Sequence, residues 1–463
     1  MRTPATLFAT LLTAALTAQV PQLWGVTTAG GENGIGTIFH VNGDGSDYAT
    51  VLSFDTIDGG SPEGGLCVAN GKLYGMTTLY GANIVGTLFS YEPGGAGFHK
   101  IMDFDSNNGG LPWGSMIKAT DGMLYGTTYQ GGGTGGSIFR LDPADDGYSI
   151  LRTLDQALDG GGVTDRLLQG ADGALYGTCA YGGTNSKGTV FRYVPGTNTF
   201  TKLHDFDNTN GATPYGGLCQ GNDGLLYGMT YEGGVQNKGV LYSVHPTTGD
   251  FVKRLDFNGT NGQSPWGTLM KAADGALYGT TTLGGPTTGS IFLFDPSTNA
   301  LTTVHSFSGL DGGLLFGAGI IGSDGAIYGT SNTGGTTFQG TVYRFDPYID
   351  IGVETLHSFT DADGLGPRGE LVQYNTVTGI AEEEAGPRFT LFPNPSNGDV
   401  TVLMDATAAA VATAQLFNAT GQLVRSERIT SARMNLHFDV PPGSYLLTLS
   451  TRAGRTTRPL LVH

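Results

Sequence analysis

The sequence predicts an all-β fold, a seven-bladed β-propeller, and three observations support that prediction. An aromatic residue followed by glycine recurs seven times at intervals of 50 or 51 residues, which indicates one supersecondary unit copied in tandem. Each copy contains four short segments rich in β-branched and aromatic residues, and no window has a helical period. Four short strands on a period of this length describe a propeller blade. The seven aromatic positions are Trp24, Tyr74, Tyr125, Tyr176, Tyr227, Tyr278 and Tyr328.

Each repeat has the same internal plan, which the copy around Tyr125 illustrates. A Pro-x-Gly segment at 112–114 begins the first strand, an Asp-Gly turn follows, and Leu-Tyr-Gly-Thr-Thr at 124–128 forms the second strand. A Gly-Gly pair leads to the third strand at 136–139, and a short apolar run forms the fourth. Glycine supplies 78 of 463 residues, and these glycines stand at fixed offsets where turns need a positive φ or strands approach closely.

The two ends of the repeat array predict a closed ring. The first copy starts at the Leu-Trp-Gly strand at 23–25 and lacks its Pro-x-Gly strand, and the missing strand appears after the seventh copy at 367–371. A first blade completed by a strand from the far end leaves no open sheet edge. The alternative is an open solenoid of β-hairpin units, but an open array needs distinct capping repeats, and the sequence has none.

The regions outside the repeats predict an exported protein. Arg2, the apolar stretch 7–16 and Ala18 form a secretory signal peptide over 1–18, with cleavage after Thr17 as an alternative. A transmembrane helix is a further alternative, but a stretch this short cannot cross a bilayer, which needs about 20 residues. The propeller is predicted over 19–374, a linker over 375–388 and a second, smaller β domain over 389–463. No transmembrane segment is expected.

Charge restricts the partners of the protein. The chain has a formal net charge of −17 at pH 7. The segment 389–463 holds six Arg and no Lys against four acidic residues, so the acidity lies in the repeats. An acidic propeller repels phosphate groups and anionic membrane surfaces. The sequence therefore predicts no nucleic-acid partner and favours neutral or cationic ligands.

Three cysteines are predicted to be small buried packing residues. Cys67 and Cys219 occupy the same position of two non-adjacent repeats, and Cys179 replaces a threonine of a Tyr-Gly-Thr-Thr strand. Equivalent positions in non-adjacent blades are expected to lie beyond the roughly 7 Å Cα separation that a disulfide allows. No disulfide is predicted.

Three motifs near the C-terminus, in order, resemble the sorting domain of type IX secretion substrates. They are Phe-Pro-Asn-Pro-Ser-Asn-Gly at 392–398, Gln-Leu-Phe-Asn-Ala-Thr-Gly at 415–421 and Pro-Gly-Ser-Tyr at 442–445. The resemblance implies a small immunoglobulin-like β-sandwich and passage across the outer membrane of a diderm bacterium. It also implies handling by the type IX secretion machinery and a sortase-like peptidase, and a secreted or outer-membrane surface location. The alternative is an ordinary binding module on a linker.

The repeats over 23–374 resemble the GloVer tandem-repeat proteins, whose members carry interchangeable C-terminal anchors. The resemblance rests on the series Leu-Tyr-Gly-Thr-Thr, Gly-Gly and Gly-Thr-Ile-Phe. It assigns no catalytic residue to this sequence. Kelch propellers share the period and a Gly-Gly pair, but their Tyr and Trp spacing differs, so that likeness is one of fold only.

Motifs for catalysis and metal binding are scarce. The sequence contains no His-Glu-x-x-His, no Gly-x-Ser-x-Gly, no phosphate-binding Gly-x-x-x-x-Gly-Lys and no Cys-x-x-Cys pair. His204, His305 and His357 share a repeat offset with leucines, which indicates a partly buried packing position. Acidic turns such as 55–59 and 105–109 resemble the start of a calcium loop but lack its closing bidentate acid. We interpret them as Asx turns, with calcium as the alternative, and predict no catalytic residue, metal ligand or cofactor.

The middle residue of the Pro-x-Gly segment is the best candidate for a ligand site. It varies from copy to copy while its neighbours mostly repeat, and it is aromatic in four of seven copies. If it opens on one rim or on the central tunnel, it forms a crown of aromatic rings with one acid and one base. Such rings stack on sugars and flat apolar ligands, whereas the alternative is ordinary packing between blades. The copy around Tyr176 departs from the motif with Val163-Thr164-Asp165. The predicted ligand-binding residues are Glu63, Trp113, Tyr215, Trp266, Phe316 and Arg368.

Two functional classes are compatible with this pattern. The favoured class is a non-catalytic secreted or surface protein, a monomer, that binds glycan or protein ligands. The second is a polysaccharide-active glycoside hydrolase or lyase whose acids, Glu63 or Asp165 among them, lie in irregular loops. The nearly constant repeat spacing favours the first class, because catalytic propellers use insertions to build a deep asymmetric pocket.

Overall fold

The computed structural model describes residues 20–284, 288–347, 352–374, 389–392, 394, 396–404, 412–418, 422–429, 431, 433–451 and 454–462. One compact unit covers Pro21–Thr376, and a second includes Val377–His463. The signal peptide predicted over 1–18 and the linker predicted over 375–388 lie outside the described residues. Within the described ranges, no helix is long and apolar enough to cross a membrane.

The first unit consists of short antiparallel strands grouped into four-stranded sheets, which we number I to VII along the chain. Sheet I contains β1 (Gln22–Thr27), β2 (Thr37–Asn42) and β3 (Ala49–Ser53). Sheet II contains β4 (Cys67–Ala69), β5 (Lys72–Thr77), β6 (Thr87–Glu92) and β7 (Gly97–Asp103). Sheet III contains β8 (Ile117–Lys118), β9 (Leu124–Thr128), β10 (Ser137–Asp142) and β11 (Gly147–Thr153).

The remaining sheets repeat this plan. Sheet IV contains β12 (Leu168–Gln169), β13 (Leu175–Cys179), β14 (Thr189–Val194) and β15 (Thr199–Asp205), with a 3₁₀ turn at Pro195–Thr197. Sheet V contains β16 (Cys219–Gln220), β17 (Leu226–Met229), β18 (Val240–Val244) and β19 (Phe251–Asp256). Sheet VI contains β20 (Met270–Lys271), β21 (Leu277–Thr281), β22 (Ser290–Asp295) and β23 (Ala300–Ser306). Sheet VII contains β24 (Ile320–Ile321), β25 (Ile327–Ser331), β26 (Thr341–Phe345) and β27 (Val353–Ser358), and β28 (Val372–Gln373) follows it.

Strands within each sheet pair in chain order, and the one exception joins the two ends of the unit. Sheets II to VII are meanders in which each strand pairs with the next. β28 instead pairs antiparallel with β1, with Leu23 opposite Gln373 and Trp24 opposite Val372. The prediction of an all-β fold with repeated four-stranded antiparallel units is confirmed, and the fold is propeller-like.

The Tyr-Gly step has two structural reasons. Its glycine lies under an aromatic ring of the third strand: a Cβ on Gly25 would stand 2.6 Å from Phe39 Cζ and 2.8 Å from Leu371 Cδ2. Its tyrosine binds the preceding Asp-Gly turn, since the Tyr125 hydroxyl donates to Asp121 Oδ2 at 2.7 Å. The same bond recurs in sheets IV, V and VII. The Asp-Gly pair is therefore a tyrosine partner as well as a turn.

The hydrophobic core of the first unit lies between consecutive sheets. Leu88 of sheet II packs in one cluster with Leu124 of sheet III, and equivalent clusters join each later pair of sheets. Leu23 and Leu371 pack with Tyr328, which joins sheet VII to sheet I. Because each sheet buries both faces against its neighbours, the strands contain the runs of adjacent apolar residues seen in the sequence.

Among the described residues of the second unit there are seven strands in two antiparallel sheets. One sheet has the order β29-β30-β33, the other β32-β31-β34-β35, and a single apolar cluster draws side chains from both. The cluster includes Val402, Leu416 and Leu447. The immunoglobulin-like topology remains a prediction. The strands are β29 (Phe389–Phe392), β30 (Asp399–Met404), β31 (Ala412–Phe417), β32 (Leu423–Ile429), β33 (Arg433–His437), β34 (Gly443–Thr451) and β35 (Gly454–Val462).

The cysteine prediction is confirmed. Cys67, Cys179 and Cys219 are all free and buried. Burial raises the pKa of the Cys179 thiol to about 12, and it likewise raises that of Cys67 to about 12. These thiols are therefore protonated packing groups with little nucleophilic character.

Candidate ligand-binding site

The Pro-x-Gly segments that begin each sheet meet one another at close range. A Cβ on Gly64 would lie 2.5 Å from the carbonyl oxygen of Gly114, the equivalent glycine of the next sheet. A Cβ on Gly369 would lie 2.7 Å from the carbonyl carbon of Gly64, so the segment that leads into β28 contacts sheet II. Glycine is required here because the backbones touch. The close approach brings the variable middle residues of these segments together.

These middle residues surround a small cavity with a volume of about 40 Å³. Five of the six predicted ligand-binding residues line it, and Thr164 and Asp165 of the irregular copy line it as well. Tyr215, the sixth, is absent from the lining but stacks on the Trp266 ring at a centroid distance of 3.9 Å. All six side chains are half-buried. The five predicted residues in the lining are Glu63, Trp113, Trp266, Phe316 and Arg368.

Ring contacts link the aromatic members into what we call the aromatic belt. Trp113 stacks on Tyr129 at 5.1 Å, and edge-on contacts of 6.2 Å continue from Tyr129 to Tyr181 and from Tyr181 to Tyr215. The Tyr181 and Tyr215 hydroxyls are 2.8 Å apart and hydrogen-bonded. The belt consists of Trp113, Tyr129, Tyr181, Tyr215, Tyr231, Trp266 and Phe316. None of these rings belongs to the buried core clusters found among the described residues, although several of their contacts join neighbouring sheets.

Three belt tyrosines were missed by the sequence analysis. Tyr129, Tyr181 and Tyr231 follow the second strand of their sheets. The antiparallel strand order puts the end of the second strand beside the start of the first, where the Pro-x-Gly segment lies. Tyr129 and Tyr231 share one repeat position, and Tyr181 lies one residue further along its copy. Three other copies hold a threonine at the shared position, and its hydroxyl donates to a backbone carbonyl, as Thr78 does to Pro112 at 2.8 Å. Aligning the copies and seeking aromatic exceptions next to each strand end would have found them.

One end of the belt continues into an ion pair. The guanidinium carbon of Arg368 lies 4.8 Å from the centre of the Phe316 ring. Arg368 Nη1 is 3.2 Å from Glu63 Oε2, so the base and the acid predicted for this site bind each other. Burial raises the pKa of the Glu63 carboxyl, and the neighbouring Arg368 opposes that shift. Arg368 Nε is buried and has no hydrogen-bond partner in the described part of the chain.

The irregular copy builds the other wall of the cavity. Asp165 stands where other copies have glycine, and its Oδ2 accepts hydrogen bonds from Gly217 N at 2.9 Å and Thr268 Oγ1 at 2.7 Å. The next residue, Arg166, lies 3.1 Å from Glu370 Oε2. The Glu370 side chain is 7% exposed, and that of Arg166 is 35% exposed. The Glu370 carboxylate raises the pKa of Arg166, so the guanidinium stays charged.

The histidine and acidic-turn positions have packing and turn roles. His204 stacks on Phe251 with centroids 3.8 Å apart, and His357 stacks on Tyr48 at 3.4 Å. Asp55 Oδ1 accepts hydrogen bonds from the backbone N–H groups of residues 57 and 58, which is the geometry of an Asx turn. Among the described residues, no group of three or more His, Cys, Asp or Glu side chains could hold a metal ion.

The fold and the site define the class, a propeller-like repeat protein with an aromatic-lined cavity. The chain belongs to the Gloeobacter/Verrucomicrobia repeat family, whose model matches residues 11–169 and 163–392. Residues 390–463 match the secretion system C-terminal sorting domain. Both resemblances noted in the sequence are thereby confirmed. The sorting domain indicates export, either to the cell surface or into the medium.

Solved structures share the fold at low sequence identity. A "putative 6-phosphogluconolactonase" from Bacteroides fragilis is 15% identical with a TM-score of 0.52, over 78% of this chain and 99% of its own. A protein of the same description from Bacteroides uniformis is 14% identical with a TM-score of 0.50, over 76% and 99%. At this identity the likeness concerns the fold alone. None of the curated proteins is significantly similar to this sequence.

Proposed function

We propose that this exported protein is a non-catalytic binding protein whose aromatic belt holds a glycan. The observation that carries the proposal is the run of ring contacts from Trp113 to Phe316, which ends on the Arg368–Glu63 pair. A sugar places its apolar face on an aromatic ring while its hydroxyls hydrogen-bond to fixed polar groups. Half-buried rings supply the first interaction, and the half-buried side chains of Glu63 and Arg368 supply the second.

The proposed scaffold is a closed seven-bladed propeller over 19–374, and three contacts support closure. β28 pairs with β1, Gly369 abuts Gly64, and the core cluster around Leu23 and Leu371 includes Tyr328 of sheet VII. A linker over 375–388 and an immunoglobulin-like sorting domain over 389–463 complete the proposed organisation. In this scheme the type IX secretion machinery recognises the sorting domain, and a sortase-like peptidase removes it.

A polysaccharide hydrolase or lyase is the second candidate, and one observation favours it. Glu63, Asp165 and Glu370 line the same cavity, and glycosidases use pairs of carboxylates. Glu63 and Glu370 each contact an arginine through one oxygen, however, and Asp165 accepts hydrogen bonds on both of its oxygens. A general acid or nucleophile must face the scissile bond, and a cavity of about 40 Å³ is too small to admit a sugar ring to these acids. The binding protein is therefore the function that we favour.

A glycan array on the mature protein, paired with an assay for released reducing ends, tests this choice. We expect retention of a glycan without turnover. The double variant Trp113→Ala and Trp266→Ala should lose at least about tenfold in affinity, because stacked aromatic contacts contribute about 1 kcal/mol or more each. Circular dichroism and a thermal melt would check that the variant is folded.

A matched aromatic substitution outside the belt serves as the control. Phe338 is 67% exposed on a loop of sheet VII, and Phe338→Ala should leave glycan binding unchanged. Turnover that disappears in Glu63→Gln would replace the binding protein with the hydrolase or lyase. Retention of protein ligands in place of glycans would keep the site and change the ligand class.

A further inference from the structure

The acidic and basic groups around the cavity are unequal in number. Three carboxyl groups and one guanidinium group line it, and a second guanidinium group, that of Arg166, contacts the lining. Arg368 is paired with Glu63 at 3.2 Å, and Arg166 with Glu370 at 3.1 Å. Asp165 is left with neutral donors on its two oxygens: backbone N–H groups and the Thr268 hydroxyl. With all five groups ionised, one negative charge is in excess beside the aromatic rings.

The cavity is too small for a sugar ring. A cavity volume of about 40 Å³ accommodates only a few water molecules, since one water molecule needs about 10–15 Å³ of such volume. The rings of Trp113, Trp266 and Phe316 border this space. A ligand held on the aromatic belt can therefore insert only a slender group between these rings. Aromatic rings beside a carboxylate attract a cation more than a neutral group.

The Arg166–Glu370 pair lies beside the cavity. Arg166 comes from the segment that begins sheet IV, and Glu370 from the segment that leads into β28 of sheet I. Two sheets separate them on one side and three on the other. Glycines make room for the pair: a Cβ on Gly65 would stand 2.8 Å from Glu370 Cγ. Glu370 lines the cavity, so a group inserted between the belt rings comes close to this pair.

These features identify the group of the ligand that enters the cavity. We propose that the cavity binds the free ammonium group of an amino sugar, and that the sugar rings of the same glycan lie on the aromatic belt. The ammonium neutralises the charge of Asp165 and lies among the rings of Trp113, Trp266 and Phe316. This inference rests on the proposed function and narrows its ligand class.

Calorimetry with two oligosaccharides of equal length tests the inference. The probes are a tetramer of glucosamine, which carries free amines, and its fully N-acetylated counterpart, titrated into the mature protein at pH 6. We expect the glucosamine tetramer to bind about tenfold more tightly, which corresponds to about 1.4 kcal/mol. The preference should fall as rising pH deprotonates the amine, and as salt rises.

The variant Asp165→Asn removes the charge of this side chain and keeps its shape. It should reduce the preference for the amine to near unity while leaving the affinity for the N-acetylated tetramer unchanged. Asp145→Asn is the matched control, because Asp145 only accepts a hydrogen bond from Gly147 N on an exposed turn. If Asp165→Asn fails to fold, Thr268→Val provides the second test. It removes a donor to Asp165 without removing its charge, so the preference should persist.

The outcomes separate this inference from the proposed function. Equal affinity for both tetramers would overturn the ammonium site and keep the glycan-binding belt. Binding of neither tetramer would overturn the ammonium site, and the glycan array would then decide the proposed function. A preference for the amine that survives Asp165→Asn would also overturn the site assigned here.

Discussion

The segments that begin sheets III and IV occupy equivalent positions in the fold but make different kinds of contact. Sheet III has Trp113-Gly114-Ser115, where Gly114 lets adjacent backbones touch. Sheet IV has Thr164-Asp165-Arg166, which replaces backbone contact with two side-chain networks. Most copies thus keep a glycine dictated by packing, and one copy departs from it to place charged groups at the cavity. In a tandem repeat, a copy that departs from the pattern marks a position where something other than packing determines the residue.

The largest expected effect comes from removing Arg166. Arg166→Ala leaves the carboxylate of Glu370, only 7% exposed, without its partner. The free energy of unfolding should fall by about 3 kcal/mol, the lower end of the range for buried ion pairs, since Arg166 keeps some contact with water. Urea denaturation measures it. The double variant Arg166→Ser with Glu370→Ala, which installs residues used by other copies, should recover most of the loss. No recovery would mean that Arg166 acts through contacts other than this pair.

Converting the irregular copy toward its neighbours should have a smaller effect. Asp165→Gly removes the acceptor for Gly217 N and Thr268 Oγ1. The free energy of unfolding should fall by about 2 kcal/mol, because these two donors lose a charged acceptor. Denaturant midpoints would measure this loss. An unchanged midpoint would show that water replaces the carboxylate and that the comparison between the two segments overstates its role in stability.

At another position of the repeat the backbone has a positive φ in several copies, and the residue there suits this conformation in some copies but not in others. Ile84 has φ 64° and is 69% exposed, whereas Gly34 and Asn237 hold the equivalent position with φ 76° and 53°. Ile84→Asn should raise the free energy of unfolding by about 1 kcal/mol, because a β-branched residue is disfavoured in the left-handed region. Asn237→Ile is the reciprocal control and should lower it. Differential scanning calorimetry would detect both changes.

The smallest expected effect concerns pH. Burial lowers the pKa of His204 below its usual value of 6.5, and Nε2 has no partner in the described part of the chain. The unfolded chain therefore binds a proton first, and stability is lost as pH falls through 6.5. His204→Leu, which copies Leu52 and Leu255, should flatten this dependence between pH 7.5 and 5.5. The slope difference cannot exceed about 1.4 kcal/mol per pH unit. Equal slopes in thermal melts would contradict a neutral buried histidine.

The repeat made most of the fold predictable from sequence. A period of 50 or 51 residues, with glycine and aromatic residues at fixed offsets, specifies strand order and turns because each copy meets the same packing demands. The missing first strand at 23–25 and its counterpart at 367–371 likewise predicted the partners β1 and β28. Local pattern and tertiary packing agree in these segments.

The candidate site was predictable only in part. The variable position after proline gave Glu63, Trp113 and Trp266, because variation within a constant frame is visible in one sequence. The contact between Arg166 and Glu370 was not visible, since residues about 200 positions apart meet only through tertiary packing that no local pattern specifies. The acid and base of the site also bind each other, a pairing that no spacing rule specifies.

The pairing of β28 with β1 affects when the first sheet can fold. Leu23 and Gln373, which pair, lie at opposite ends of the repeat array, so the first sheet stays incomplete until the last repeat is available. Such distant contacts make folding slow, because the chain must be gathered before they stabilise it. Such a chain stays incompletely folded until its last repeat is present, which leaves time for export before the first sheet is complete.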